Sequence, residues 1–385
     1  MSDFYDDLIK DTGFARADTG SLMSARNRVS TPLYVLNCIY GGGVPLGILS
    51  EVSGNPGGGK STFAYQCMGN YQKEYPNGVS VIYDMEASMD SERLKVLGVD
   101  PSKVLRLPAT SMEEAFGSMF KMLNKIKMLS EKEETKDITS FQIYDSLSSG
   151  GTEKQHEKAE AGESTFGAGS MMEAPRIIKQ NLANIFPYFE SFPLHISVLQ
   201  QVYTTIGSYV STVSAGGGYG LQHLVHSHIV FSKPSDVYKD GFLVGTESTV
   251  KLEKSKLSPK FVDIPCYIDV TQGGKIDEVD SFVKYISGSN VGLISTGAWF
   301  SMKPALQTAT SLYSDEADFT EATAIMDKNY RKADLYDLIG ENIDILNLLQ
   351  ILLIDFIDGI YPAQREINGE YQEKLKTECK YFKKK

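Results

Sequence analysis

The sequence predicts an α/β fold around a mixed, mostly parallel central sheet, and two observations carry that prediction. Between Thr31 and about Gly274, short β-branched apolar runs alternate with longer stretches of helical periodicity, as in βα units on a parallel sheet. One strand–helix junction holds Gly54-Asn55-Pro56-Gly57-Gly58-Gly59-Lys60-Ser61, a full match to G-x-x-x-x-G-K-[ST] in the strand–loop–helix setting that gives this motif its meaning. The chain has 385 residues, 42% hydrophobic and 23% charged, which excludes a disordered or fibrous protein. That length suits one large core with additions, or a few domains.

In chain order, residues 2–12 read as a short helix, and a polar link follows over 13–30. Together they form a segment, 1–30, suited to docking on another surface. Strands are expected over 48–52, 79–83, 141–144, 196–199, 228–231, 248–252 and 266–270, where β-branched and aromatic residues cluster. Helices are expected over 60–75, 90–97, 111–129 and 171–189. The later strands are joined by short connections, as at Asp240-Gly241, which points to an antiparallel extension at one sheet edge. Two long Gly- and Ser-rich segments, about 148–170 and 203–220, follow directly on strands. Structureless loops of that length in a compact domain usually carry function. These elements make 31–275 the core and leave 276–385 as a smaller C-terminal region, which ends in the basic run Lys380-Tyr381-Phe382-Lys383-Lys384-Lys385.

Charge and cysteine usage narrow the setting. The 38 Lys+Arg against 49 Asp+Glu give a net charge of −11, so any nucleic-acid contact must come from local sites acting against that field. Cys38, Cys67, Cys266 and Cys379 lie far apart with no Cys-x-x-Cys spacing, which speaks against a zinc ribbon or a disulfide framework. The acidic opening residues lack the pattern of a secretion signal. The apolar run 343–360 carries Asp344, Asn347, Gln350, Asp355 and Asp358 in a stripe along one helical face, which does not suit lipid. A cytoplasmic protein without membrane contact is expected.

The phosphate-loop motif dictates much of the chemistry. Its glycines let the backbone curl so that N–H groups face a β-phosphate, and the helix N-terminus adds positive potential. Lys60 would reach the β/γ-phosphates, and the Ser61 hydroxyl, followed by Thr62, would ligate Mg²⁺. Asp145 closes an apolar strand and is placed to order the magnesium shell. Glu86, just past another strand, is a candidate to orient the attacking water, with an exposed turn carboxylate as the plain alternative. Gln201 ends a third strand where the second long loop opens; it is either a γ-phosphate sensor or a polar strand cap. His223, His226 and His228 span a helix end and a strand, so their rings are not expected to share the face that a metal would need. Lys254 and Lys256, two apart after a strand, point to one face, as solvated edge lysines also do.

This ordered set resembles the RecA recombinase family, with a phage UvsX-type branch nearest to it. The matching stretches are Gly41-Gly42-Gly43-Val44-Pro45-Leu46-Gly47, the phosphate loop, Tyr83-Asp84-Met85-Glu86, Leu97-Gly98-Val99-Asp100-Pro101, Tyr144-Asp145-Ser146, Gln200-Gln201, Ile206-Gly207, Gly217-Gly218, residues 247–256 and Gly297-Ala298-Trp299-Phe300-Ser301. The resemblance implies a RecA-like P-loop NTPase core, a short N-terminal oligomerisation helix and a small C-terminal region. It implies that residues 54–62 bind ATP and Mg²⁺, that Glu86 activates water, and that Asp90 contacts the adenine. Arg93 stands where the family stacks an aromatic on the base. Lys254 and Lys256 match a pair that reaches a neighbour's γ-phosphate across a filament interface, as an arginine finger does. The two long loops match DNA-binding loops, in which Phe166 and Ile206, flanked by Gly167 and Gly207, wedge between base triplets. Gly217 and Gly218 match backbone donors to phosphate. Arg176 and Lys179 are further candidates for the DNA grip, because Glu153, Glu157, Glu160 and Glu163 outnumber Lys154 and Lys158 in the first loop.

The chain also departs from the family. His223 replaces an aromatic at the nucleotide-linked interface, nothing after Ser301 matches the bacterial C-terminal domain, and the end is basic instead of acidic. The function implied is an ATP-dependent homologous DNA recombinase. It would form helical filaments on single-stranded DNA, pair them with double-stranded DNA, and work with a recombination mediator and a single-strand-binding protein. In a phage-encoded form it would act in the host cytoplasm. A RecA-fold ring ATPase (a helicase-like motor or regulatory ATPase) and a nucleotide-binding filament scaffold without strand exchange remain the alternatives.

Overall fold

The protein is described by a computed structural model over residues 27–147, 149–163, 168–204, 213–215, 218–288 and 290–383. The helix expected over 2–12 lies outside these residues, as do Phe166, Gly167, Ile206, Gly207 and Gly217.

The strands in chain order are β1 (Arg28–Val29), β2 (Val44–Pro45), β3 (Ile48–Gly54), β4 (Val79–Asp84), β5 (Val104–Leu107), β6 (Ser140–Asp145), β7 (Leu194–Thr204), β8 (Val213–Ala215), β9 (Ser227–Phe231), β10 (Ser235–Lys239), β11 (Phe242–Ser255), β12 (Phe261–Asp269), β13 (Lys275–Asp277), β14 (Phe300–Ser301) and β15 (Asn329–Tyr330), the last two pairing with each other. The helices are α1 (Tyr34–Tyr40), α2 (Lys60–Glu74), α3 (Ser91–Val96), α4 (Met112–Ser130), α5 (Glu153–Glu160), α6 (Ala168–Ala183), α7 (Phe186–Phe189), α8 (Gly218–Leu224), α9 (Glu278–Ile286), α10 (Lys303–Tyr313), α11 (Thr320–Met326), α12 (Lys332–Glu341), α13 (Ile343–Ile360) and α14 (Arg365–Glu378).

The main sheet runs β13-β12-β11-β9-β3-β7-β6-β4-β5, with β10 pairing β11 and β8 pairing β7. Strands β5, β4, β6, β7, β3 and β9 are parallel. From β9 outward, β11, β12 and β13 pair antiparallel, which is the edge extension the short connections predict. Its hairpin β10–β11 turns at Asp240 (φ 52°) and Gly241 (φ 81°), a left-handed pair that suits a two-residue connection. Strands β4, β6, β7, β3 and β9 are largely buried on both faces, whereas the edge strand β5 exposes Leu105 and Arg106. Leu49, Val81, Tyr83, Tyr144, Ile196 and Val198 pack on one side with Phe116, Met119 and Leu123 of α4 and Ile178 and Leu182 of α6. Val52, Ile82, Phe141, Ile143 and Leu199 pack on the other with Phe63, Cys67, Met68 and Tyr71 of α2.

Several expectations change. The described residues within 148–170 are not structureless: Thr152 and Gln155 form a capping box that starts α5, and α6 begins at Ala168. The second loop is also shortened, because β7 continues to Thr204 and pairs with β8, Thr204 opposite Val213. The single helix expected over 171–189 is two, α6 and α7, with Pro187 in the first turn of α7; proline has no N–H to bond the carbonyl four residues back, here that of Ala183, which favours a break there. The short strands β5, β10 and β13 carry too little pattern to be read from sequence.

The C-terminal region is not a loose appendage. Its residues Leu346, Leu349, Leu375 and Cys379 share one continuous core with Leu36 and Ile39 of α1. The polar stripe of α13 lies under α14, where Tyr371 donates to Gln350 (2.9 Å), Gln372 to Asp355 (2.7 Å) and Asn368 to Asp358 (2.9 Å). Of the expected basic tail, the described residues 380–383 are docked too. Tyr381 and Phe382 are buried, and Lys380 pairs with Glu321 at 2.7 Å. Among the described residues, no helix is long and apolar enough to cross a membrane.

Candidate functional site

The loop after β3 requires its glycines. Gly54 (φ 149°) sits so close to β9 that a Cβ would meet the Phe231 carbonyl oxygen at 2.3 Å, and Gly59 (φ 105°) would press a Cβ on Ile268 at 2.8 Å. Lys60 opens α2, and its Nζ donates to the Asn55 carbonyl at 3.0 Å, so the side chain folds back over the loop. Ser248 of β11 donates to the Gly58 carbonyl at 3.0 Å and braces the loop from the antiparallel side. Burial lowers the Lys60 pKa, opposed by the nearby carboxylates of Asp145 and Glu86.

Strand register assembles the rest. Gly54 lies opposite Gln201 of β7 and Phe231 of β9, and Asp84 lies opposite Asp145. The C-terminal ends of β3, β7, β6 and β4 thus bring Lys60, Gln201, Asp145 and Glu86 to one edge of the sheet, where ligands bind in open α/β folds. Asp145 accepts from Tyr65 of α2 at 2.9 Å and is also hydrogen-bonded by Ser61. Burial, aided by Glu86 and Asp84, pushes its carboxyl up to about 6 against those two hydroxyls. Glu86 is exposed and accepts from Ser146 and Ser149, each at 2.7 Å. Two carboxylates and a hydroxyl around one lysine form an oxygen donor set in acidic excess, which fits Mg²⁺.

Asp84 sets this geometry, and its role is not visible in the sequence. It is 1% exposed, takes two bonds from Arg106 (3.0 and 2.6 Å), and accepts the Ser88 and Met89 amides at 3.3 Å, fixing the turn that presents Glu86. Arg106→Met leaves that carboxylate buried without its cation. A loss of about 3 kcal/mol is expected, read as a lower urea midpoint with unchanged slope.

At the other side of α2, Asp90 caps α3 by accepting from Glu92 and Arg93 amides, both at 3.2 Å. Arg93 bonds the Gly273 carbonyl, the Gly274 carbonyl at 3.0 Å and the Thr62 hydroxyl at 3.2 Å, tying α3 to α2 and the β12–β13 turn. Arg176 and Lys179 are exposed on α6, and Gly218 begins α8. His226 and His228 both bond to β3, His226 accepting from the Leu49 amide at 3.2 Å and His228 meeting Ser53 Oγ at 2.7 Å.

Lys254 and Lys256 lie at the opposite end of the sheet. Ser255 of β11 is opposite Ser227 and Lys254 opposite His228, while the phosphate loop starts beside Phe231. Four residues of strand separate Ser227 from Phe231, about 13 Å at the usual rise.

A family model described as the RecA N-terminal domain matches residues 20–275. Protein RecA of Ureaplasma parvum serovar 3 is 26% identical over 276 residues, covering 71% of this chain and 76% of that protein. The recombination and repair protein of Enterobacteria phage T4 is 27% identical over 287 residues, covering 72% of this chain and 68% of that protein. Protein RecA of Malacoplasma penetrans is 27% identical over 267 residues, covering 69% and 74%.

Proposed function

The chain belongs to the RecA family, and from that premise we propose that it is an ATP-dependent homologous DNA recombinase. It assembles head to tail on single-stranded DNA, pairs that strand with a homologous duplex, and hydrolyses ATP between subunits. The observation that carries this reading is the separation along the sheet: a lysine about four strand residues from its own phosphate loop is better placed to serve another subunit's nucleotide. Repeated contacts of that heterologous kind generate open helices or rings.

In this reading Lys60 and the backbone of residues 54–59 cradle the phosphates, and Ser61 and Asp145 hold the magnesium ion, directly or through its water shell. Bound Mg²⁺ supplies charge neutralisation between the β- and γ-phosphates. Glu86, held by two serine hydroxyls, orients the attacking water. Gln201, level with Gly54, transmits γ-phosphate occupancy into the segment after β7. Asp90 and Arg93 border the base. A cation from the Lys254/Lys256 strand end of the next subunit completes the site. Phe166, Gly167, Ile206, Gly207, Gly217 and Gly218, with Arg176, contact DNA. Because α5, just before Phe166 in the chain, is acidic, affinity per subunit is modest and falls with salt. A mediator and a single-strand-binding protein assist loading in the cytoplasm.

Electron microscopy with single-stranded DNA and a slowly hydrolysed ATP analogue tests the assembly: extended filaments are expected, and closed rings would favour a ring ATPase. Mixing Lys60→Ala with Lys256→Ala subunits tests the shared site. Some DNA-dependent hydrolysis should return, because one class of interface then has both residues. No recovery at any ratio would place both in the same subunit's site.

A further inference from the structure

Glu51 is 0% exposed, and neither carboxylate oxygen has a hydrogen-bond partner among the described residues. An ionised carboxylate in that position is costly unless a cation compensates it. The register places Glu51 opposite His228 and His228 opposite Lys254, so the three form one row across β3, β9 and β11. His228 Nε2 lies 3.6 Å from Glu51 and is engaged with Ser53 Oγ at 2.7 Å. At the end of the row, Lys254 Nζ donates to the last carbonyls of α8, Gln222 at 2.5 Å and His223 at 3.2 Å. Helix α8 follows the second expected DNA loop, and a cation at a helix C-terminus is favoured by the helix dipole. Lys254 is therefore seated against its own subunit, and it cannot occupy that seat and a neighbour's phosphate together.

We propose that Glu51 is a positioning residue for Lys254: its ionised carboxylate holds the ammonium at the end of α8, and its neutral form frees Lys254 to serve a neighbour's nucleotide. This rests on the reading that the lysine pair acts between subunits. The charged and titratable groups facing Glu51 are His228 from β9 and Glu253 and Lys254 from β11, with Lys256 beyond. Burial and Glu253 push Glu51 up to about 7, against the opposing pull of Lys254. Burial and Lys254 hold His228 down to about 4, so it is neutral where Glu51 titrates. The carboxyl is raised above its ordinary value, so its contribution to stability is complete below about pH 4.5 and is lost as pH rises through about 7.

The test compares the unsubstituted protein with Glu51→Gln by thermal unfolding and by DNA-dependent ATP hydrolysis across pH. The Tm advantage of the Gln variant should widen as pH rises from about 5 to about 8. Hydrolysis by the unsubstituted protein should fall about tenfold from about pH 6 to about pH 8, while the Gln variant stays level. Parallel pH profiles in both hydrolysis and unfolding would overturn the inference alone. A widening Tm gap with no hydrolysis by either protein at any pH would bring down the functional reading, and the inference with it.

Discussion

Lys60→Ala is expected to abolish ATP binding and ATP-dependent assembly while leaving the fold in place. Lys60 is 9% exposed and is the cation that faces both Asp145 and Glu86. Without it, a triphosphate would enter beside two carboxylates with the loop amides and α2 dipole as its remaining positive partners. Hydrolysis should fall by at least about 10²–10³-fold, the scale seen when one group stabilising transition-state charge is removed. A binding assay with a fluorescent ATP analogue, run beside circular dichroism, checks both halves. A folded variant with undiminished ATP binding would show that the loop works without its lysine.

The second large effect is expected at Glu86. Glu86→Gln keeps the hydrogen bonds from Ser146 and Ser149, because the amide oxygen accepts as the carboxylate does. It removes the charge that would align water and accept its proton, so turnover should drop about 10²-fold or more while ATP binding persists. If hydrolysis drives filament disassembly, as the proposed function implies, filaments should then last longer after ATP is added. Unchanged turnover would shift the role to another carboxylate.

The nucleotide end of this molecule is legible in the sequence because its signals are local. The phosphate loop lies within eight consecutive residues, Asp145 announces itself by ending a strand, and Glu86 by lying just past one. What braces the site is not local. Tyr65, Ser248 and Arg106 reach Asp145, Gly58 and Asp84 from 80, 190 and 22 residues away in the chain. In sequence they read as an ordinary helix residue, strand residue and surface arginine. Glu51 is hidden for a related reason: within an apolar strand it looks like one polar step of an alternating pattern, and β7 and β9, which pair with it on either side, come from distant parts of the chain. Helix α5 was obscured by having no buried face at all, so its capping box was the one available sign. The C-terminal helices lacked an identifiable partner until α1 supplied one, 300 or so residues earlier.

The proposed function has ATP hydrolysis driving the exchange of DNA strands. The direct measurement incubates the protein with circular single-stranded DNA, a homologous linear duplex, ATP and Mg²⁺, and follows the displaced strand. The proposed function requires a displaced strand that depends on homology and is absent with Lys60→Ala. DNA-stimulated ATP hydrolysis with no displaced strand under any condition would contradict it.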